Sequence, residues 1–268
     1  MKNIKKIAKI AVATLAITGM SLIIHQNNSS ASSYKVEKVT INSSISENFY
    51  HVKNKSKNVY LWNSTRTKVK ANLKNYKNYS WIYNGKNAVV SHNGKKAIYY
   101  YVSSYDPSHK YVSKVGMVWH GYLDRGFNTN YKVLNDVSPF RFMNDNEYMN
   151  YIKQSPSQKV TREVLKLFPN TKISLKLTQN FEQYESLDNL GYSKVLAFPA
   201  ATKYMDHIIY KKNISDKTRI NLIKSALNNA GYTQAKRNSL SNYKIGIFYY
   251  ANAKNQTFDD YPGIVLAK

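Results

Sequence analysis

Two turn-forming Asn-Gly pairs, Asn84-Gly85 and Asn93-Gly94, punctuate a run of short segments rich in β-branched and aromatic residues. Asn and Gly tolerate positive φ, which tight hairpins require, so this alternation restricts residues 59–128 to a small all-β structure. The segments are Val59 to Trp62, Thr67 to Leu73, Tyr79 to Tyr83, Ala88 to His92, Lys96 to Ser104 and Lys114 to Leu123. Several short strands spaced by turns predict a small barrel or sandwich. The Ser-, Asn- and Lys-rich residues 32–58 read as a spacer with room for one strand.

From residue 129 the periodicity changes. Asn144 to Gln154 opens on capping residues. Ser157 to Phe168 carries Val160, Val164, Leu165 and Phe168 at helical spacing and stops before Pro169. Ser215 to Ala230 is the clearest helix, with Ser215 as N-cap, Ile220, Ile223, Leu227 and Ala230 on one face, and Gly231 as its stop. Strand-like runs lie at Ile173 to Leu177, Lys194 to Pro199, Lys244 to Tyr250 and Gly263 to Lys268. The expected fold class is α+β: a small all-β barrel module at 59–128, then a mixed α/β domain at 129–268.

The amino terminus has the order of a secretory signal. Lys2, Lys5, Lys6 and Lys9 precede an apolar run from Ile10 to Ile24, then small residues, with Ser29 to Ala31 suiting cleavage after residue 31. The alternative is an uncleaved anchor, for which the run is short against the roughly 20 apolar residues of a span. The expected location is secreted, at the cell wall or surface, with no membrane span after signal cleavage. No cysteine is present, which excludes disulfides, thiol catalysis and thiolate metal sites.

The chain carries a formal charge of +25. Residues 32–128 hold 16 basic against 4 acidic residues, and residues 129–268 hold 20 against 11. Such an excess attracts polyanions. Outside a Gram-positive-type cell those are teichoic acids or anionic lipid, so a nucleic-acid partner is not expected. The alternative is charge that serves solubility and loose adsorption alone.

The stretch from Ala71 to Trp81, the run Asn93 to Val102 and the run Lys114 to Leu123 resemble the small barrel modules of lactobacillus-type surface proteins. Those modules are akin to bacterial Src-homology-like and GW cell-wall-binding modules. The resemblance covers about seventy residues and implies non-catalytic attachment to the wall. The usual Gly-Trp pair is replaced here by Gly116-Met117, with Trp at position 119, so ligand preference does not carry over. The second half, through Phe168 to Thr171, Asn228 to Leu240 and Ile264 to Lys268, looks like the carboxy-terminal part of uncharacterised secreted proteins of the same bacteria. That likeness brings no activity.

Catalytic patterns are sparse. Ser-x-x-Lys occurs at Ser32 to Lys35 and at Ser241 to Lys244, without its Ser-Asp-Asn and Lys-Thr-Gly partners. No second His stands at metal-ligand spacing. Asp206-His207, Glu182 with Glu185, and Asp259 with Asp260 read as surface groups. No catalytic residue, cofactor or metal is expected.

The 24 Tyr and three Trp cluster in the β region, where lysines surround them. Aromatic faces stack on sugars and lysines pair with phosphate. The expected ligand-binding residues are Trp81, Tyr83, Tyr100, Trp119, Tyr122, Lys95, Lys96 and Lys114. Trp81 and Tyr122 are placed towards a groove and Trp119 towards core or groove wall. Strand alternation turns Tyr100 away from Tyr99 and Tyr101. The expected function is binding of anionic wall polymer or wall glycan. The alternative is a cell-wall hydrolase with catalysis in the second half.

Overall fold

A computed structural model describes residues 34–44, 48–106, 114–182, 190–197, 213–249 and 264–268. The signal at 1–31 lies outside the described residues, as do His109, Glu185, Asp206, His207, Asp259 and Asp260. The fold is mixed α+β, as expected from the change in periodicity.

The first sheet has eight strands: β1 (Lys35–Ile41), β2 (Asn48–Val52), β3 (Tyr60–Trp62), β4 (Val69–Asn72), β5 (Ser80–His92), β6 (Lys95–Tyr105), β7 (Val115–Trp119) and β8 (Leu123–Arg125). Their order is β4-β3-β7-β6-β5-β2-β8, and β1 also pairs with β5. The expected closed barrel is not formed; the sheet is open, with β4 and β8 at its ends. It is nevertheless curled. Strands β7 and β8 stand four places apart, about 19 Å in a flat sheet. Only the 3-10 turn His120–Tyr122 joins them, and four residue steps reach at most about 14 Å. The connection is too short for a flat sheet.

The two Asn-Gly pairs have different fates. Asn93 and Gly94 have φ of 49° and 72° and make the expected hairpin between β5 and β6. Gly85 also has positive φ, 78°, but the ladder continues past it, with the register shifting between Tyr83 and Asn87. It is a bulge inside one long strand. The bulge divides β5 between two partners, β2 before it and β1 after it. Both partners come from residues 32–58, so that segment is two strands of the sheet and not a spacer.

The second sheet contains β9 (Lys172–Ile173), β10 (Val195–Ala197), β11 (Lys244–Ile247) and β12 (Ile264–Ala267), in the order β10-β12-β11-β9. Its helices are α1 (Asp145–Gln154), α2 (Lys159–Lys166), α3 (Leu175–Glu182), α4 (Asp216–Asn229) and α5 (Gln234–Asn238). Helix α4 has its expected cap: Ser215 Oγ accepts from the Thr218 N–H at 3.1 Å. Ile223 and Leu227 are its buried apolar face, and Gly231 ends it at φ 83°. The run Ile173 to Leu177 departs from expectation. It leaves the strand after Ile173, because Ser174 Oγ accepts the Leu177 N–H and Asp145 Oδ1 accepts the Leu175 N–H, starting α3.

Residues 34–268 form one compact unit. Phe49, Ile82, Tyr105 and Phe127 pack with Phe142, Tyr148, Ile223 and Leu266 in one hydrophobic cluster that crosses residue 128. Within the curl of the first sheet lies a second cluster built from Val52, Leu61, Trp81, Tyr83, Val102, Val118 and Leu123. The opposite, convex face carries Ala88, Val90, Tyr99 and Met117, with Trp62, Ala97 and Tyr101 against them. No helix among the described residues is long and apolar enough to cross a membrane.

Candidate functional site

Cross-strand register sorts the expected binding residues onto different faces. Trp81 is fully buried in the curl beside Tyr76 and Tyr79, with its rings 6.2 and 6.4 Å away. It lines no groove. Tyr83 is also buried and stacks on half-buried Tyr100 at 4.2 Å. Tyr100 does turn away from Tyr99 and Tyr101, as alternation requires: it packs with the concave cluster and its neighbours with the convex one. Lys96 pairs with Glu37 at 2.9 Å. Lys114 stands at the start of β7, its N–H donating to Ser104 Oγ, while Trp119 is at the other end of that strand. The eight residues therefore form no single groove.

The remaining three share one region. Trp119 pairs directly with Tyr99, on the convex face. It is 37% exposed, contrary to the expectation of core or groove wall, and meets equally exposed Tyr122 edge-on at 4.8 Å. Lys95 pairs with His92 on the same face, and the His92 ring stacks on Tyr34 at 4.0 Å.

At the centre of this face is Arg66, which the sequence reading overlooked. Its guanidinium lies 3.3 Å from the Trp62 ring centroid, 4.1 Å from Tyr34 and 5.4 Å from Tyr99. One Nη reaches the Tyr99 hydroxyl at 3.4 Å, whereas Nε is buried without a hydrogen-bond partner among the described residues. Beside it, Lys86 Nζ stands 4.4 Å from the Tyr101 ring. Burial raises the Tyr101 phenol above its ordinary pKa, so it remains a neutral donor to the Ser64 carbonyl at 3.4 Å.

The loop between β3 and β4 fixes Arg66 in place. Asn63 Oδ1 accepts the N–H groups of Thr67 and Lys68 at 2.8 and 3.0 Å, and its amide donates to the Thr65 and Thr67 hydroxyls. The Arg66 N–H donates to the Asn63 carbonyl at 3.1 Å. Arg66 has φ 64°, a left-handed conformation uncommon for a residue with a long side chain. The loop holds that strain where the guanidinium meets three rings.

A guanidinium stacked on aromatic faces still presents N–H donors at its edge, in the fork geometry that suits phosphate. Among the described residues no carboxylate forms an ion pair with Arg66. Lys68, Lys86 and Lys95 add charge, while Trp119 and Tyr122 offer ring faces at one end. The sequence signal available was scarcity: Arg accounts for six of the 40 Lys and Arg residues, so each Arg marks a position where charge alone is insufficient. No group of His, Asp or Glu suited to a metal ion occurs among the described residues. Comparison with protein-family models, curated proteins and solved structures finds no match.

Proposed function

We propose that this is a secreted, non-catalytic protein of the cell envelope that binds anionic wall polymer of the teichoic-acid type, or wall glycan, through the convex face of its first sheet. The observation that supports this most is the Arg66 guanidinium, caged by Tyr34, Trp62 and Tyr99 without an ion-pair partner among the described residues. A polyol phosphate offers phosphates to Arg66 and the surrounding lysines, and its sugars offer ring faces to Trp119 and Tyr122. The likeness to wall-binding modules and the secretory signal point the same way. The net charge of +25 adds long-range attraction to any polyanion.

Co-sedimentation with Gram-positive cell walls, before and after removal of their teichoic acids, tests the reading. Protein lacking residues 1–31 is expected to sediment with intact walls, to bind less after stripping and to release as salt rises. Binding that survives both treatments assigns the site to glycan. No binding to either preparation overturns the proposal.

A further inference from the structure

The six arginines divide by environment. Arg162 Nη1 donates to the carbonyls of Ile152 and Ser155, both at 2.7 Å, which ties α2 to the end of α1. Arg237 is fully buried and donates to the Leu167 carbonyl, Asn228 Oδ1 and Gln234 Oε1. Arg219 is 7% exposed and lies 6.0 Å from the Tyr249 ring. Arg66 serves the convex face. The last two, Arg125 and Arg141, come from separate parts of the chain to line one cleft of about 350 Å³, together with Asn48, Phe49, Phe140, Phe142 and Met143.

The cleft is held in shape from both sides. Arg125, on the end strand β8, donates to Asn48 Oδ1 on β2 at 2.8 Å. Arg141 ends the 3-10 turn Pro139–Arg141, and its guanidinium stands 5.3 Å from the Phe49 ring. Buried Phe142 follows the turn, and Gln179 donates to the Pro139 carbonyl at 3.1 Å. No acid lines the cleft. The nearest carboxylate on the chain segment that forms it is Glu147, whose two oxygens accept the N–H groups of Phe127 and Met143. Beside the two cations, Phe140 and Met143 are 39% and 47% exposed.

We infer that the cleft binds an anionic amphiphile: a phosphate or carboxylate head between Arg125 and Arg141, with an apolar chain along Phe140 and Met143. A bare phosphate fills a small part of the volume and leaves the two apolar side chains in water. An uncharged chain leaves the two guanidinium groups without a ligand. Only a molecule with both parts satisfies the lining. This site is separate from the Arg66 face and does not depend on wall binding.

Calorimetric titration of the full chain with methyl, butyl and octyl phosphate, and with octyl glucoside, tests the inference. Octyl phosphate is expected to bind at least about tenfold more tightly than methyl phosphate, since each buried methylene adds roughly fourfold. Octyl glucoside is expected to bind far more weakly than octyl phosphate. Arg125→Ser with Arg141→Ser is expected to abolish octyl phosphate binding while wall sedimentation persists. Because that pair touches packing, the exposed Met143→Ser is the second variant, expected to weaken octyl but not methyl phosphate. Flotation with vesicles of phosphatidic acid against phosphatidylcholine separates the sources. Arg125-dependent capture by the anionic vesicles assigns a lipid headgroup, and octyl phosphate binding without capture assigns a free amphiphile. Equal affinity for methyl and octyl phosphate, equal affinity for the glucoside, or an affinity untouched by all these substitutions overturns the inference.

Discussion

Arg66 lies with its guanidinium 3.3 Å from the centroid of the Trp62 ring, four residues earlier in the same β-hairpin. A lysine retains the charge there but not the planar stack or the fork of donors. Arg66→Lys is expected to weaken wall binding roughly tenfold at moderate salt, because a stacked, partly desolvated cation contributes about 0.5–2 kcal/mol. Sedimentation across a salt series checks this. A slope and midpoint equal to those of the parent protein would show that charge alone holds the wall.

Trp81 and Trp119 are expected to behave oppositely. Trp81→Ala empties the centre of the concave cluster and should cost about 3–5 kcal/mol. Trp119→Ala removes a ring at the surface and should change stability by about 0.5 kcal/mol or little more, while lowering affinity for wall. Urea unfolding and sedimentation on the same two variants distinguish a packing residue from a contact residue.

Gly116 permits β3 to approach β7. A Cβ at this position would fall against the Trp62 carbonyl oxygen and 2.8 Å from Leu61 Cγ. Gly116→Ala should destabilise the fold by about 1–3 kcal/mol. It should also disturb the seat of Arg66, since Trp62 is the residue displaced. A loss of wall binding larger than the loss of folded protein, measured by circular dichroism, is the expected signature.

Tyr151 provides a test in alkali. Its hydroxyl donates to the Asn135 carbonyl at 2.8 Å and accepts from the Val137 N–H and the Gln158 amide. Burial pushes its pKa up to about 12 from the ordinary 10. The unfolded chain therefore loses this proton first, and stability falls as pH rises from about 10 to about 12. Full loss is on the order of 2–3 kcal/mol. Tyr151→Phe should flatten this alkaline limb, followed by chemical unfolding at pH 9 and pH 11. An unchanged limb would place its origin elsewhere; Tyr131, also raised to about 12 by burial, is the next residue to replace.

Local chemistry made part of this fold legible in the sequence. Ser215 and Gly231 bound α4 because a hydroxyl acceptor and a positive-φ glycine act within one turn of the helix. Asn93-Gly94 makes its hairpin for the same reason. Tyr100 faces away from Tyr99 and Tyr101 because side chains in a strand alternate. Asn84-Gly85 contains the same dipeptide as Asn93-Gly94, yet Gly85 forms a bulge, because β2 and β1 flank it with separate strands to pair.

Tertiary structure decided the rest. Whether Trp81 or Trp119 reaches water depends on which face of the sheet curls inward, and a strand's alternation is blind to that choice. Residues 35–52 carry a weak strand signal and gain order from pairing with β5 and β8, which lie far along the chain. The Arg66 site joins Tyr34, Trp62, Arg66 and Tyr99, and the cleft joins Asn48, Arg125 and Arg141. The sequence alone set each residue's charge, its ring and its place in a strand or turn. Proximity across the chain came from strand order and sheet curl, which arise from burying one face of every strand at once.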